Sequence, residues 1–287
     1  MTTAEKDKAA QKQKSDVILD YIRPHKKYPS VWCAGCGNGI VMSAIIRAVD
    51  RLGYDRNNVA MVSGIGCSSR MPVYLDFSAL HTTHGRALPF ATGVKFAKPN
   101  MKVIVITGDG DSLAIGGNHF IHACRRNIDI TCIQINNYIY GMTGGQGSPT
   151  TPSNMFSTTT PYGNVEKHFE PCELAQAAGA SFVGRSTVYH APGMERMIMD
   201  ALEHNGFSFI EVISNCHTYF GRLNRRGDAV AMLKFFKENS VTKAKAAKMT
   251  EEELADKYVV GVLHNDEVKT EFCDEYQKVV DAHKGGK

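Results

Sequence analysis

Two sets of side chains in this sequence could do chemistry. The first is an acid and an amide. Asp109 sits in the turn Gly108-Asp109-Gly110, directly after the β-branched run VIVIT, and Asn137 lies 28 positions further on, where a second apolar run ends in Asn136-Asn137. A carboxylate offers a hard anionic oxygen and an amide a neutral one. With the backbone carbonyl of Ile139 they make the protein's share of an octahedral magnesium site. Gly108 and Gly110 allow the sharp turn, and the start of the helix expected next favours phosphate. The chemistry therefore suits a magnesium diphosphate. The second set is thiols. Cys33 and Cys36 form a C-x-x-C pair followed by glycine, which alone is open to zinc, a redox dithiol or no role. The paired C-x₂-C framework of a zinc ribbon is absent. Cys67 and Cys216 each follow an expected strand, and four thiolates at one sheet edge would hold a [4Fe–4S] cluster. Their glycine neighbours leave backbone N–H groups free to approach the sulfurs.

The elements that must position these groups follow from the apolar pattern. Residues 103–107 and 130–135 read as buried strands with a helix between them, marked by Leu113, Ile115, Phe120, Ile121 and Cys124. A strand over 59–62 leads into Gly64-Ile65-Gly66-Cys67, and strands at 182–183 and 207–213 follow later, the last delivering Cys216. Helices are expected over 40–52, 81–98, 173–180 and 193–204; Pro89 predicts a kink or a late start in the second. Strands alternating with helices predict an α/β fold, a doubly wound parallel sheet covered on both faces. Ligands bind such sheets at the carboxyl ends of the strands. Cys124 and Cys132 fall in apolar patterns and read as core, while Cys172 and Cys273 have no companion.

With 287 residues the chain can form one large domain with an extension. The division expected is a tail and linker over 1–27, a binding domain over 28–220, and a C-terminal extension over 221–287. In the extension, Thr250 to Glu253 reads as a capping box, and Arg226-Gly227-Asp228 as a chance tripeptide. A formal charge of +4 is too mild to argue for nucleic acid. No apolar run approaches the roughly 20 residues that span a bilayer, so no membrane is expected. The polar first residues carry no signal peptide pattern, so a cytoplasmic location is expected, where cysteines more often mean metal or redox chemistry than disulfides.

GDG followed by NN resembles the thiamine diphosphate signature. Taken in order, WCAGCGNG, GIGCSSR, HTTHGRALPFATG, GDGD, INNYIYGMTGGQGSPTTP and NCHT resemble the β subunit of 2-oxoacid:ferredoxin oxidoreductases, over residues 28–220. Within that family the 2-oxoglutarate type is the most similar. The resemblance implies a diphosphate-domain fold, with Cys33, Cys36, Cys67 and Cys216 on a [4Fe–4S] cluster and Asp109, Asn137 and Ile139 on Mg²⁺. It implies thiamine diphosphate contacts at Ile65, Gly66, Cys67, Ser68, His84, Gly110, Asp111, Gly141 and Met142. Arg70 matches a place for a cation near the substrate carboxylate, against the alternative of a surface ion pair. Residues 143–151 match a segment that closes over substrate or coenzyme A, against a plain surface loop.

The implied reaction is coenzyme A-dependent oxidative decarboxylation of a 2-oxo acid, with electrons passed to ferredoxin. The chain has room for only one thiamine-type domain, so the glutamate that faces the aminopyrimidine must come from an α subunit, in an αβ unit. Competing readings are the same reaction on pyruvate, a decarboxylase or transketolase-like subunit without iron, an iron–sulfur carrier, and a zinc module. Each of the last three leaves the cysteines or the diphosphate turn unexplained.

Overall fold

The structure is a computed structural model that describes residues 17–26, 28–267 and 270–284. The tail expected over 1–16 lies outside the described residues. Six parallel strands form the body of an eight-stranded sheet: β1 (Val59–Ser63), β2 (Ser78–His81), β3 (Lys102–Gly108), β4 (Thr131–Asn136), β7 (Phe182–Thr187) and β8 (Ser208–Ile213). The short strands β5 (Ile139–Tyr140) and β6 (Gln146–Gly147) make a separate ribbon. β9 (Ser240–Thr242) and β10 (Tyr258–Asn265) complete the large sheet, in the order β2-β1-β3-β4-β8-β7-β10-β9.

Alternation along the strands fills both faces. Ile104 and Ile106 of β3 point into one core with Met61, Ile133 and Ile210, closed by α1 (Asn38–Arg51) and, after α2 (Ala87–Ala97), α3 (Gly117–Arg126) and α4 (Pro171–Ala178), by α5 (Ala191–Glu203). Val103 and Val105 point into the other core with Val62, Cys132 and Phe209, covered by α2, α3 and α4. Phe120 of α3 meets Phe209 edge-on at 5.0 Å, a geometry worth about 0.5–1.5 kcal/mol beyond area burial. Cys124 and Cys132 are fully buried core residues, as their pattern predicts.

Pro89 predicts a kink or a late start, and the late start is what forms. α2 begins at Ala87, which puts Pro89 in its first turn, where no intrahelical N–H is lost. The helix expected from Leu113 opens as a wider π turn, Asp111–Ile115, before α3. Beyond Phe220 the chain adds α6 (Ala229–Glu238), the one-turn helices α7 (Lys243–Ala246) and α8 (Glu251–Leu254), and α9 (Phe272–Lys284). The capping box at Thr250 and Glu253 is formed. β10 runs antiparallel along β7, a departure from the all-parallel expectation. Such a strand at the margin of a parallel sheet caps the backbone groups that β7 would otherwise leave open. No helix among the described residues is long and apolar enough to cross a membrane.

Candidate functional site

Parallel register places four loops at one edge. β3, β4 and β8 end within a residue of one another and β1 two residues before β3, so the segments beginning at Gly64, Asp109, Asn137 and Ser214 emerge at the same edge. Between the first three lies a cavity of about 270 Å³. It is lined from the β1 loop by Ile65, Gly66, Cys67 and Ser68, from the next loop by His84, and from the turn after β3 by Asp109, Gly110 and Asp111. Asn137, Ile139, Gly141 and Met142 line it from the segment after β4. All the residues expected to contact coenzyme or magnesium are thus brought together. Arg70 is not among the lining residues; its Nη1 lies 3.5 Å from His81 Nε2, and no carboxylate pairs with it among the described residues.

Asp109 is 4% exposed. Burial pushes its carboxyl up to about 6, with hydrogen bonds from Ser148 and Thr150 opposing the rise. Ser148 Oγ donates to Asp109 Oδ2 at 2.6 Å and Thr150 Oγ1 at 2.8 Å. The loop expected either to close over ligand or to lie plain on the surface is, in this part, buried and tied to the acid. A desolvated carboxylate facing a cavity with an amide and a carbonyl beside it fits a divalent cation, which would remove the cost of ionising it.

Asp111 joins three segments. Its Oδ1 accepts from Gly85 N at 2.6 Å and Ile65 N at 3.2 Å, and its Oδ2 from Thr107 Oγ1 at 2.9 Å. His84 Nδ1 lies 2.7 Å from Oδ1 without the alignment of a hydrogen bond. Gly64 is the reason this fits: a Cβ there would stand 2.1 Å from Asp111 Oδ2. That glycine was the sequence's one signal of the close approach.

The hydroxyl end of Tyr140 abuts the GDG turn, and its hydroxyl donates to Gly110 O at 3.3 Å. A Cβ on Gly110 would come within 2.1 Å of the ring. Gly110→Ala should therefore lower stability by about 1–3 kcal/mol, as overpacking does, and weaken coenzyme binding. The double variant Gly110→Ala/Tyr140→Ala should regain part of the melting temperature; no recovery would show that the clash lies elsewhere.

The four cysteines share one neighbourhood. Burial raises the Cys67 thiol to about 11, with Cys36, Cys216 and Cys33 adding to it. Burial also raises Cys36 and Cys216. Backbone N–H groups of Tyr219 and Phe220 point at the Cys216 sulfur, and Asn38 Nδ2 lies 3.2 Å from the Cys36 sulfur. Gly35 and Gly37 let the C-x-x-C turn press against α6 and the end of β8, where Asn215 Nδ2 donates to Gly35 O at 2.9 Å. Among the described residues no three Cys, His, Asp or Glu side chains close round a single metal ion. The wider grouping, with N–H donors at the Cys36 and Cys216 sulfurs, fits a cluster whose thiolates bind separate irons. Gly141 forms a shared wall: it lines the cavity, and a Cβ on it would stand 3.6 Å from the Cys216 sulfur and 3.7 Å from that of Cys67.

The fold and site define a thiamine enzyme. Residues 64–212 match the family described as thiamine pyrophosphate enzyme, C-terminal TPP binding domain. The chain is 50% identical over 272 residues to the 2-oxoglutarate synthase subunit KorB of Methanothermobacter marburgensis, covering 95% of each. It is 52% identical over 263 residues to the KorB subunit of Methanocaldococcus jannaschii, covering 92% of this chain and 97% of that one. Its structure matches the 2-oxoglutarate:ferredoxin oxidoreductase from Magnetococcus marinus, solved with 2-oxoglutarate, coenzyme A and succinyl-CoA bound. There the TM-score is 0.82 at 32% identity, over 94% of this chain and 91% of the other. The chain belongs to the 2-oxoglutarate synthase KorB family.

Proposed function

We propose that this chain is the β subunit of a 2-oxoglutarate:ferredoxin oxidoreductase and converts 2-oxoglutarate and coenzyme A to succinyl-CoA and carbon dioxide, with an α subunit as partner and ferredoxin as electron acceptor. One observation carries the reading: the Gly141 wall, which sets a diphosphate-sized cavity directly against grouped thiols. Thiamine diphosphate supplies an electron sink for a 2-oxo acid that loses carbon dioxide, and an iron–sulfur cluster supplies one-electron transfer.

The chain's own residues prepare the site for that chemistry. Asp109, Asn137 and the Ile139 carbonyl hold magnesium. Ser148 and Thr150 fix the Asp109 carboxylate from behind. Asp111 ties the β1 loop and the Gly85 backbone to the GDG turn, so the loops carrying Ile65 to Ser68 and His84 keep their places. Cys33, Cys36, Cys67 and Cys216 hold the cluster. Arg70, with no carboxylate partner among the described residues, meets the substrate carboxylate when the α subunit completes the site. Ile65 and Met142, apolar and 40% and 49% exposed at the cavity, suit cover by that subunit. Eight cysteines with no disulfide among the described residues suit a reducing cytoplasm.

The test is an anaerobic assay of the chain assembled with its α subunit. Coenzyme A-dependent reduction of ferredoxin should be at least about tenfold more efficient (kcat/KM) with 2-oxoglutarate than with pyruvate. A preference for pyruvate would reassign the substrate.

A further inference from the structure

Asn137 emerges from a strained turn. Tyr138, the next residue, has φ of +64°, a conformation that favours glycine and is unusual for a bulky side chain. Such a residue keeps its place only where its surroundings over-determine it. Three of the contacts that hold Tyr138 bear on the turn. Its ring packs on Phe220 at 5.4 Å. Its carbonyl accepts from Thr151 Oγ1 at 2.7 Å, and its N–H donates to Asn136 Oδ1 at 3.1 Å.

The last bond depends on which way the Asn136 amide faces. Asn136 Nδ2 donates to Glu211 Oε1 at 2.8 Å. A carboxylate only accepts, so it selects the NH₂ end of the amide and turns the oxygen toward Tyr138. Glu211 is itself fixed, because its Oε2 accepts from Arg185 Nε at 2.6 Å on the neighbouring strand. Glu211 is 2% exposed, and neither it, Arg185 nor Asn136 lines the coenzyme cavity; all three lie in the wall of a separate cavity of about 650 Å³. A buried ion pair is a poor source of stability. Here it has an orienting task.

We propose that Glu211 is a positioning residue for the metal half-site: it sets the Asn136 amide, which holds the strained turn that aims the Asn137 side chain and the Ile139 carbonyl. This rests on the reading of Asn137 and Ile139 as magnesium-holding groups.

The test reverses the polarity of the pair at constant charge. Asn136→Asp alone sets two carboxylates against each other. Glu211→Gln alone no longer selects one face of the amide. Together they restore one donor, now on Gln at 211, and one acceptor facing Tyr138. In the assembled enzyme stripped of coenzyme, thiamine diphosphate retention is measured by equilibrium dialysis across a Mg²⁺ series, with iron per chain as a check on integrity. Each single variant should need at least about tenfold more Mg²⁺ for half-retention, and the double variant should return to within about threefold of the parent. Additive losses, or single variants with the parent's Mg²⁺ requirement, would overturn the proposal. Should the single variants fail to assemble, the double variant decides alone: parental Mg²⁺ dependence supports the orienting role, and its loss overturns it. Asn137→Ala is run alongside. If it leaves the Mg²⁺ requirement unchanged, the metal-site reading has failed, which is distinct from a failure confined to the Glu211 pair.

Discussion

Replacing Cys216 with alanine should empty the enzyme of its electron path while leaving the fold in place. Cys216 emerges just after the end of β8, and its sulfur lies against Gly141 without lining the coenzyme cavity. The N–H groups of Tyr219 and Phe220 are already aimed at it. These donors stabilise a thiolate, yet burial holds the free thiol up. A ligand carrying positive charge resolves that conflict, since metal binding and thiol deprotonation are coupled. In the anaerobically assembled enzyme, Cys216→Ala should lower bound iron and reduce ferredoxin-linked turnover by at least about a hundredfold, some 2.7 kcal/mol on the barrier. Thiamine diphosphate retention should survive, because Asp109, Asn137 and Ile139, the groups proposed to hold magnesium, lie on other loops. Cys33→Ala should behave alike, although Cys33 is exposed and distant in sequence. Full iron content in either variant would remove that cysteine from the ligand set.

The second large effect is expected at Asp109. Asp109→Asn keeps the size of the side chain and removes the charge. Magnesium-dependent thiamine diphosphate affinity should fall at least about a hundredfold, again some 2.7 kcal/mol. The coenzyme-free protein should respond in the opposite sense. Because the folded-state carboxyl is raised to about 6, the folded chain binds a proton that the unfolded chain releases between its ordinary value of 3.8 and that point. Stability of the coenzyme-free form therefore falls as pH rises across this window and is level above it. Asp109→Asn should lose that dependence and melt no lower than the parent at neutral pH. The stabilisation that magnesium and coenzyme add to the parent should grow as pH rises towards about 6 and be level above it, and that added to the variant should not. A variant that still gains stability from both ligands would show that another group holds the cation.

The chemistry-bearing turns were legible because each closes a buried, β-branched strand, and such runs announce both the strand and its end. The π turn after Gly110 was not legible, since Leu113 and Ile115 continue the spacing of α3 and only the Asp111 hydrogen bonds reveal the wider coil. Ser78 to His81 forms an edge strand with every side chain exposed, so it carries no apolar alternation. β10 is half-buried along most of its length and is interrupted by Gly261, at φ +119°, which weakens its strand pattern in a polar region. The roles of Ser148, Thr150 and Glu211 were hidden for a different reason. Each meets its partner across 39 to 75 positions of chain. Only the packing of the 148–151 loop and the neighbouring strands brings them beside the GDG and NN turns.

The proposed function sets a coenzyme cavity beside an iron–sulfur site, with Gly141 touching both. Its most direct measurement is the iron, acid-labile sulfide, zinc and thiamine content of the αβ complex purified without oxygen. About four irons and four sulfides per β chain, with bound thiamine diphosphate and no stoichiometric zinc, is the result expected from four cysteine ligands. Stoichiometric zinc without sulfide would contradict it, leaving a zinc-stabilised thiamine protein with no route for electrons past Gly141.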